Sequence, residues 1–142
     1  MKIDLDYNIN NMETRIDNKC KAFTSLEQSK KLAEILPLES ADMYIYKDIF
    51  FGALSCFNGT TQVGEYVKLT DKENKAYPCW SLAALLDVLP DSTDIVKDKT
   101  DTENEKYMCT VGIKDDIIPT FANNPVDACY EMIIKLHELK ML

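Results

Sequence analysis

Residues 77–90 are the longest nearly uncharged stretch of an acidic chain, and they contain its only tryptophan, Trp80. Ser81 suits a helix N-cap, and the leucines that follow fall on one face of a short helix. These are Leu82, Leu85, Leu86 and Leu89. Pro90 ends the helix, because proline disfavours helical geometry in the residue before it and has no N–H. Such a short helix is marginal alone, so we expect it to pack against a sheet.

Length and composition predict one soluble domain. The chain has 142 residues, 46% of them hydrophobic and 28% charged, which is typical of a globular protein with a substantial core. No apolar run approaches the ~20 residues that a membrane helix needs, and the N-terminus lacks a signal-peptide core. We therefore expect a cytoplasmic protein with no membrane contact. Residues 23–142 form the predicted domain, and the polar residues 1–22 are either a frayed tail or a short packed arm.

The charge balance argues against a nucleic-acid partner. The net charge is −8, and the sixteen basic residues include a single arginine, Arg15. Binding DNA or RNA requires clustered Lys and Arg to neutralise phosphates, and arginine makes many of the base-specific contacts. We expect no nucleic acid to bind.

The five cysteines are an odd number, widely spaced, without a Cys-x-x-Cys pair. Four of them lie in apolar segments, where a free cysteine behaves as a small hydrophobic residue. A disulfide framework is not expected.

Two further helices have clear start and stop signals. Ser25 and Gln28 form a capping box, and Pro37 ends the apolar pattern that follows. Asn124 suits an N-cap with Pro125 at the first helical position. The predicted buried stripe of this last helix consists of Cys129, Met132, Ile133, Leu136 and Leu139.

Aromatic and β-branched residues indicate strands in the first half of the chain. Residues 43–46 and 49–54 are either two short strands or one strand bent at Lys47 and Asp48. Residues 63–69 indicate another strand.

Residues 106–123 have the alternation of a hairpin. Alternate residues from Tyr107 to Ile113 are apolar, Lys114 to Asp116 form a turn, and residues 117–121 return. Pro119 lacks a backbone donor, so the second strand should lie at a sheet edge or turn that position away from its neighbour.

Residues 91–106 contain six acidic residues and three lysines, which is typical of a solvated loop. A calcium loop would need a glycine at its sixth position, and none lies between Gly64 and Gly112. These elements together predict an α+β fold: a largely antiparallel sheet of four or five strands with three helices, at about residues 25–36, 81–89 and 125–139, packed on one face.

No catalytic, cofactor or metal motif is present in the sequence. Phosphate-binding glycine loops and nucleophile elbows are missing, and a single histidine excludes His-rich zinc sites. That histidine, His137, lies about 12 Å along the predicted helix from Cys129, the nearest cysteine in sequence. Whether it meets another cysteine depends on the fold, and no carboxylate pair stands out.

Trp80 has two interpretations. It is either the buried anchor of the short helix, or it forms with Tyr77 an aromatic ledge that binds a partner. The ledge is the candidate binding site.

Five blocks of residues occur in a fixed order along the chain: 29–32, 40–44, 78–86, 89–90 and 124–133. In these blocks the chain resembles a group of small uncharacterised proteins from gut anaerobic bacteria and from their phages and prophages. The similarity covers about residues 25–142, and its most specific part is the block around Trp80. The segment before Thr24 departs from the group. The resemblance implies a cytoplasmic accessory protein of a mobile element and transfers no functional residue.

Two hypotheses for function follow. The first is a non-enzymatic protein that binds a protein partner, as an inhibitor or modulator acting through its acidic surface. The alternative is a small enzyme with an unrecognised carboxylate or Cys/His site. The sequence does not determine the oligomeric state.

Overall fold

The computed structural model describes residues 21–46, 49–51, 76–97 and 106–142. The strand predicted at residues 63–69 and nearly all of the predicted N-terminal arm lie outside these ranges.

The three helices begin at the predicted capping residues. Helix α1 is Leu26–Ile35, α2 is Leu82–Val88 and α3 is Pro125–Glu138, and a short 3-10 helix occupies Leu38–Ser40. At α1 the Ser25 Oγ accepts from the Gln28 backbone N–H at 3.2 Å, while the Gln28 Oε1 accepts from the Ser25 N–H at 3.0 Å. Asn124 caps α3 in the same way, accepting from the Asp127 N–H at 2.8 Å. Local side-chain chemistry therefore sets where each helix starts.

The first sheet contains β1 (Met43–Tyr46), β2 (Ile49–Phe51) and β3 (Tyr77–Cys79), in the antiparallel order β2-β1-β3. Of the two alternatives left open for this segment, the described residues form two short strands, which pair with each other. Strand β3 was not predicted, because three residues that include a proline give no periodic signal. Among the described strands β3 lies at the edge of its sheet, a position where a proline is tolerated.

The second sheet contains β4 (Thr93–Lys97), β5 (Tyr107–Ile113) and β6 (Asp116–Ala122), in the antiparallel order β4-β5-β6. The predicted hairpin is confirmed, and β6, which carries Pro119, is an edge strand among the strands that the structure describes. Lys114, the first residue of the two-residue turn, has a φ of 54°, as the mirror-image turns that suit hairpins require.

Two sequence-based predictions need correction. The prediction of a loop at residues 91–106 is wrong for Thr93–Lys97, which form a strand. This strand pairs with β5, and its Ile95 packs against the core while Asp94 remains exposed. The α+β class with three helices holds. The strands, however, form two three-stranded sheets rather than one sheet of four or five, and no pairing joins the two sheets among the described strands.

The helices contact different sheets, so they do not share one sheet face. Helix α1 lies against β3, α3 covers β5 and β6, and α2 contacts α3. A single apolar cluster joins these elements, and its fully buried side chains include Leu32, Trp80, Leu85, Met132 and Ile133.

Two leucines of the predicted helical stripes lie at the surface instead. Leu86 is 40% exposed and Leu139 is 51% exposed. Leu86 is on α2, which buries only Ala84 and Leu85, and Leu139 is the C-cap of α3, three residues beyond Leu136, the last buried residue of that helix.

Candidate functional site

The structure places Trp80 in the core. Its side chain has no exposed surface, and its indole Nε1 donates to Ser40 Oγ at 2.9 Å. Its backbone N–H donates to Thr24 Oγ1 at 3.1 Å, and its carbonyl accepts from the Thr24 N–H at 2.9 Å. All three polar groups of Trp80 are thus satisfied internally, as a buried tryptophan requires.

Tyr77 is only partly buried, and the Lys30 ammonium lies 4.9 Å from the centre of its ring. Of the two residues of the predicted aromatic ledge, only Tyr77 therefore reaches solvent. A cation–π contact of this kind is a small surface interaction.

Thr24 links Trp80 to a buried polar cluster behind β3. Thr24 Oγ1 lies 2.8 Å from Ser29 Oγ, and the Cys79 thiol donates to the Thr24 carbonyl at 3.3 Å. Burial raises the pKa of the Cys79 thiol, which favours the unreactive protonated form. We infer that this cluster has a structural role and holds the start of α1 against β3.

Cys109 and Cys129 are a second buried pair of free thiols, on β5 and α3. Their mutual hydrogen bond raises the pKa of Cys129, as does burial, and lowers the pKa of Cys109. His137 is exposed on α3, whereas the three thiols of the described residues are buried. The described residues therefore do not bring a thiol to His137.

Asp127, in the first turn of α3, joins three segments of the chain. Its Oδ1 accepts from Lys21 Nζ and from Gln28 Nε2, each at 2.8 Å, and its Oδ2 accepts from Asn124 Nδ2 at 2.8 Å. Burial alone raises the pKa of the Asp127 carboxyl, but these hydrogen bonds outweigh burial and hold the pKa below its usual range.

This lowered pKa predicts an acid-dependent loss of stability. A carboxyl with a lower pKa in the folded state stabilises the fold above its unfolded pKa of about 3.9, and that contribution is lost as the pH falls through the folded pKa. Urea titrations between about pH 5 and pH 2 should show a free energy of unfolding that falls more steeply for the wild type than for Asp127→Asn. The matched control, Asp87→Asn, replaces an exposed carboxylate on α2 and should follow the wild type. Equal slopes for all three proteins would contradict the assignment.

The face of the second sheet that points away from α3 carries a row of apolar side chains, next to the polar pair Asp94 and Thr110. Pairing places Val96 of β4 opposite Met108 of β5, and Met108 opposite Phe121 of β6, so the three form one row across the sheet. Val96 is 48% exposed and Phe121 is 41% exposed. Ile117, four residues before Phe121 on β6 and on the same face, is 69% exposed. We call the residues Val96, Met108, Ile117, Pro119 and Phe121 the outer face.

The outer face differs from the usual solvated side of an antiparallel sheet, which is polar. Exposed apolar residues that adjoin one another indicate an interaction surface, whereas scattered single ones do not. Part of this apolar row could be recognised from the sequence. Met108 and Phe121 alternate with Cys109 and Thr120, so they lie on the face of the sheet opposite to these buried residues. The row was not found from the sequence because β4 was not predicted.

A groove of about 720 Å³ runs beside the outer face, between the free edge of β6 and helix α3. Pro119 and Phe121 line one side, and Glu131, Ile134 and Glu138 line the other. The Lys135 ammonium reaches across it and donates to the Pro119 carbonyl at 3.3 Å. The groove therefore combines backbone groups of an edge strand with carboxylates of a helix.

In comparisons with known proteins, no family model, no curated protein and no solved structure matches the chain. Within the described ranges, no His, Cys, Asp and Glu side chains are grouped so that they would hold a metal ion. No described helix combines the length and apolar character needed to cross a bilayer.

Proposed function

We propose that this chain is a non-enzymatic protein-binding protein that contacts its partner through the outer face of the second sheet. The observation that carries the proposal is the cross-strand row Val96–Met108–Phe121, whose two outer members are exposed and whose central Met108 is half-buried. Burying such residues against a partner removes apolar surface from water, at about 25 cal/mol per Å².

The partner's chemistry follows from the charge of the chain. With a net charge of −8, a second copy is repelled, whereas an apolar protein surface flanked by lysines and arginines is attracted. The resemblance to proteins of gut bacteria and their phages supports a cytoplasmic accessory role, as an inhibitor or modulator of such a basic partner.

A paired set of variants tests the surface. Val96→Thr with Phe121→Thr removes apolar area while keeping side chains that suit strands. Leu86→Gln is the matched control, because Leu86 is 40% exposed, close to the 41% of Phe121, but lies on α2. We expect the threonine double variant to lose partner affinity by at least about tenfold, as the loss of a central aromatic contact does, and the control to retain it.

The measurement is affinity purification from cells of the source organism with quantitative mass spectrometry, followed by titration of the identified partner against purified variants. A partner retained equally by the double variant would overturn the proposal, as would a partner surface that is acidic. Sedimentation velocity is a second check. A dimer that the double variant dissociates would show that the outer face binds a second copy instead.

A further inference from the structure

No described strand pairs with the outer edge of β6, and this edge has a defined set of backbone groups available to another strand. A turn of two residues precedes β6, so the pair that closes the turn, Ile113–Asp116, is hydrogen-bonded. Hydrogen-bonded and non-hydrogen-bonded pairs then alternate along the hairpin, and the pairs that contain Ile117, Pro119 and Phe121 are not hydrogen-bonded. The backbone groups of Ile117, Pro119 and Phe121 therefore point away from β5. Pro119, which has no N–H, falls at one of these outward positions, and its carbonyl accepts from Lys135.

Helix α3 forms the opposite wall of the groove, and its carboxylates differ in availability. Asp127 is already held by Lys21, Gln28 and Asn124. Glu131 and Glu138 are exposed, and neither forms an ion pair with another described residue. They are seven residues apart on one helix, or about 10 Å, which lies between the ~7 Å and ~13 Å that separate same-face side chains two and four residues apart on a strand.

We propose, resting on the function proposed above, that the partner contributes an extended segment that pairs with the β6 edge and lies in this groove. Successive side chains of a strand point to opposite faces of a sheet. One set of the segment's side chains therefore faces α3, where lysine or arginine meets Glu131 and Glu138. The other set adjoins Phe121 and extends the apolar row of the outer face. The segment alternates basic and apolar residues.

A second copy of β6 does not satisfy these requirements. The strand Asp116–Ala122 contains no lysine or arginine to meet Glu131 and Glu138, and a paired copy would add a second Pro119 to the interface. Proline and lysine at a sheet edge are known devices against pairing of like strands. Pro119 is such a proline. The Lys135 ammonium reaches the Pro119 carbonyl from α3, and a partner amide that donates to this carbonyl would replace it.

The direct test uses synthetic peptides of about eight residues, blocked at both ends, that match the length of β6. Lysine alternating with valine is the probe, and glutamate alternating with valine is its control. Titration calorimetry with the full chain should detect the lysine peptide and not the glutamate peptide. Glu131→Gln with Glu138→Gln should weaken binding about tenfold, more at low salt than at high salt, because opposite charges are lost. Glu34→Gln, an exposed glutamate of α1, should have no effect.

Backbone methylation distinguishes strand pairing from simple charge attraction. Within a strand, alternate N–H groups point to the same side. Methylating one alternate set of the peptide's amides should abolish binding, while methylating the other set should leave it within about twofold. Equal effects of the two sets, or no binding of the lysine peptide to the folded wild type, would overturn the inference.

The two proposals fail separately. In one outcome, the Val96→Thr, Phe121→Thr variant loses its cellular partner and the wild type does not bind the lysine peptide. This outcome would support the outer face as the binding surface and would contradict the strand-pairing inference. In the opposite outcome, the lysine peptide binds with the expected methylation pattern and the double variant keeps its cellular partner. This outcome would support peptide binding in the groove and would contradict the outer face as the surface for that partner.

Discussion

Replacing Trp80 with alanine is expected to lower the free energy of unfolding by ~3–5 kcal/mol, the range for large buried aromatic residues. Trp80 is fully buried, packs in the cluster that joins both sheets, and makes hydrogen bonds to Ser40 and Thr24. A domain with ~5–15 kcal/mol of total stability would lose much of it. Urea unfolding followed by circular dichroism measures the change.

Two controls separate packing from hydrogen bonding. Trp80→Phe keeps an aromatic ring but loses the indole N–H that donates to Ser40, so it should cost less than alanine. Ser40→Ala removes the acceptor of the indole N–H, together with the exposed hydrogen bond from the Ser40 hydroxyl to the Pro37 carbonyl, and should cost about 1–3 kcal/mol, the range for leaving a buried donor unsatisfied.

Because Trp80 is the only tryptophan, its fluorescence reports its burial directly. We expect a blue-shifted emission that is shielded from quenchers in the native protein and moves to the red on unfolding. Native emission like that of free tryptophan, together with a near-normal melting temperature for Trp80→Ala, would contradict the core assignment and would return Trp80 to the binding surface beside Tyr77.

The second large effect is expected at α3. Ile133 has no exposed surface and packs in the core cluster, so Ile133→Ala should cost ~2–5 kcal/mol through lost burial and a residual cavity. The neighbouring Ile134 is the matched control, since it is only partly buried and lines the groove. Ile134→Ala should cost less than about 1.5 kcal/mol.

Chemical denaturation of the two alanine variants measures this difference under identical conditions. Equal losses at Ile133 and Ile134 would mean that α3 is rotated about its axis relative to the sheet. That result would also remove Ile134 and Glu131 from the wall of the groove, because both positions depend on the same helix orientation.

The starts of all three helices and the β5–β6 hairpin were predictable because their signals are local. Ser25, Ser81 and Asn124 each cap a helix through a hydrogen bond that spans three residues. The hairpin strands alternate in sequence and are joined by a turn of two residues, so no distant partner is needed to define them.

Strands β3 and β4 were not predictable because each depends on a partner far along the chain. Ile95 pairs with Cys109 and Tyr77 pairs with Ile45, and neither short segment has a periodic pattern of its own. The division into two sheets has the same origin, since β3 and β4 pair with different partners. The fold class followed from composition and periodicity, whereas the sheet arrangement required long-range pairing.

The amino-acid sequence by itself determined an acidic α+β chain with capped helices, a hairpin and a tryptophan suited to anchoring the core. Only the tertiary structure placed Val96, Met108 and Phe121 in one row and brought Glu131 beside the free edge of β6. The physical reason is range: a cap or a tight turn is fixed by hydrogen bonds between near neighbours. A binding surface instead depends on strand register and helix orientation, which the packing of the whole core sets.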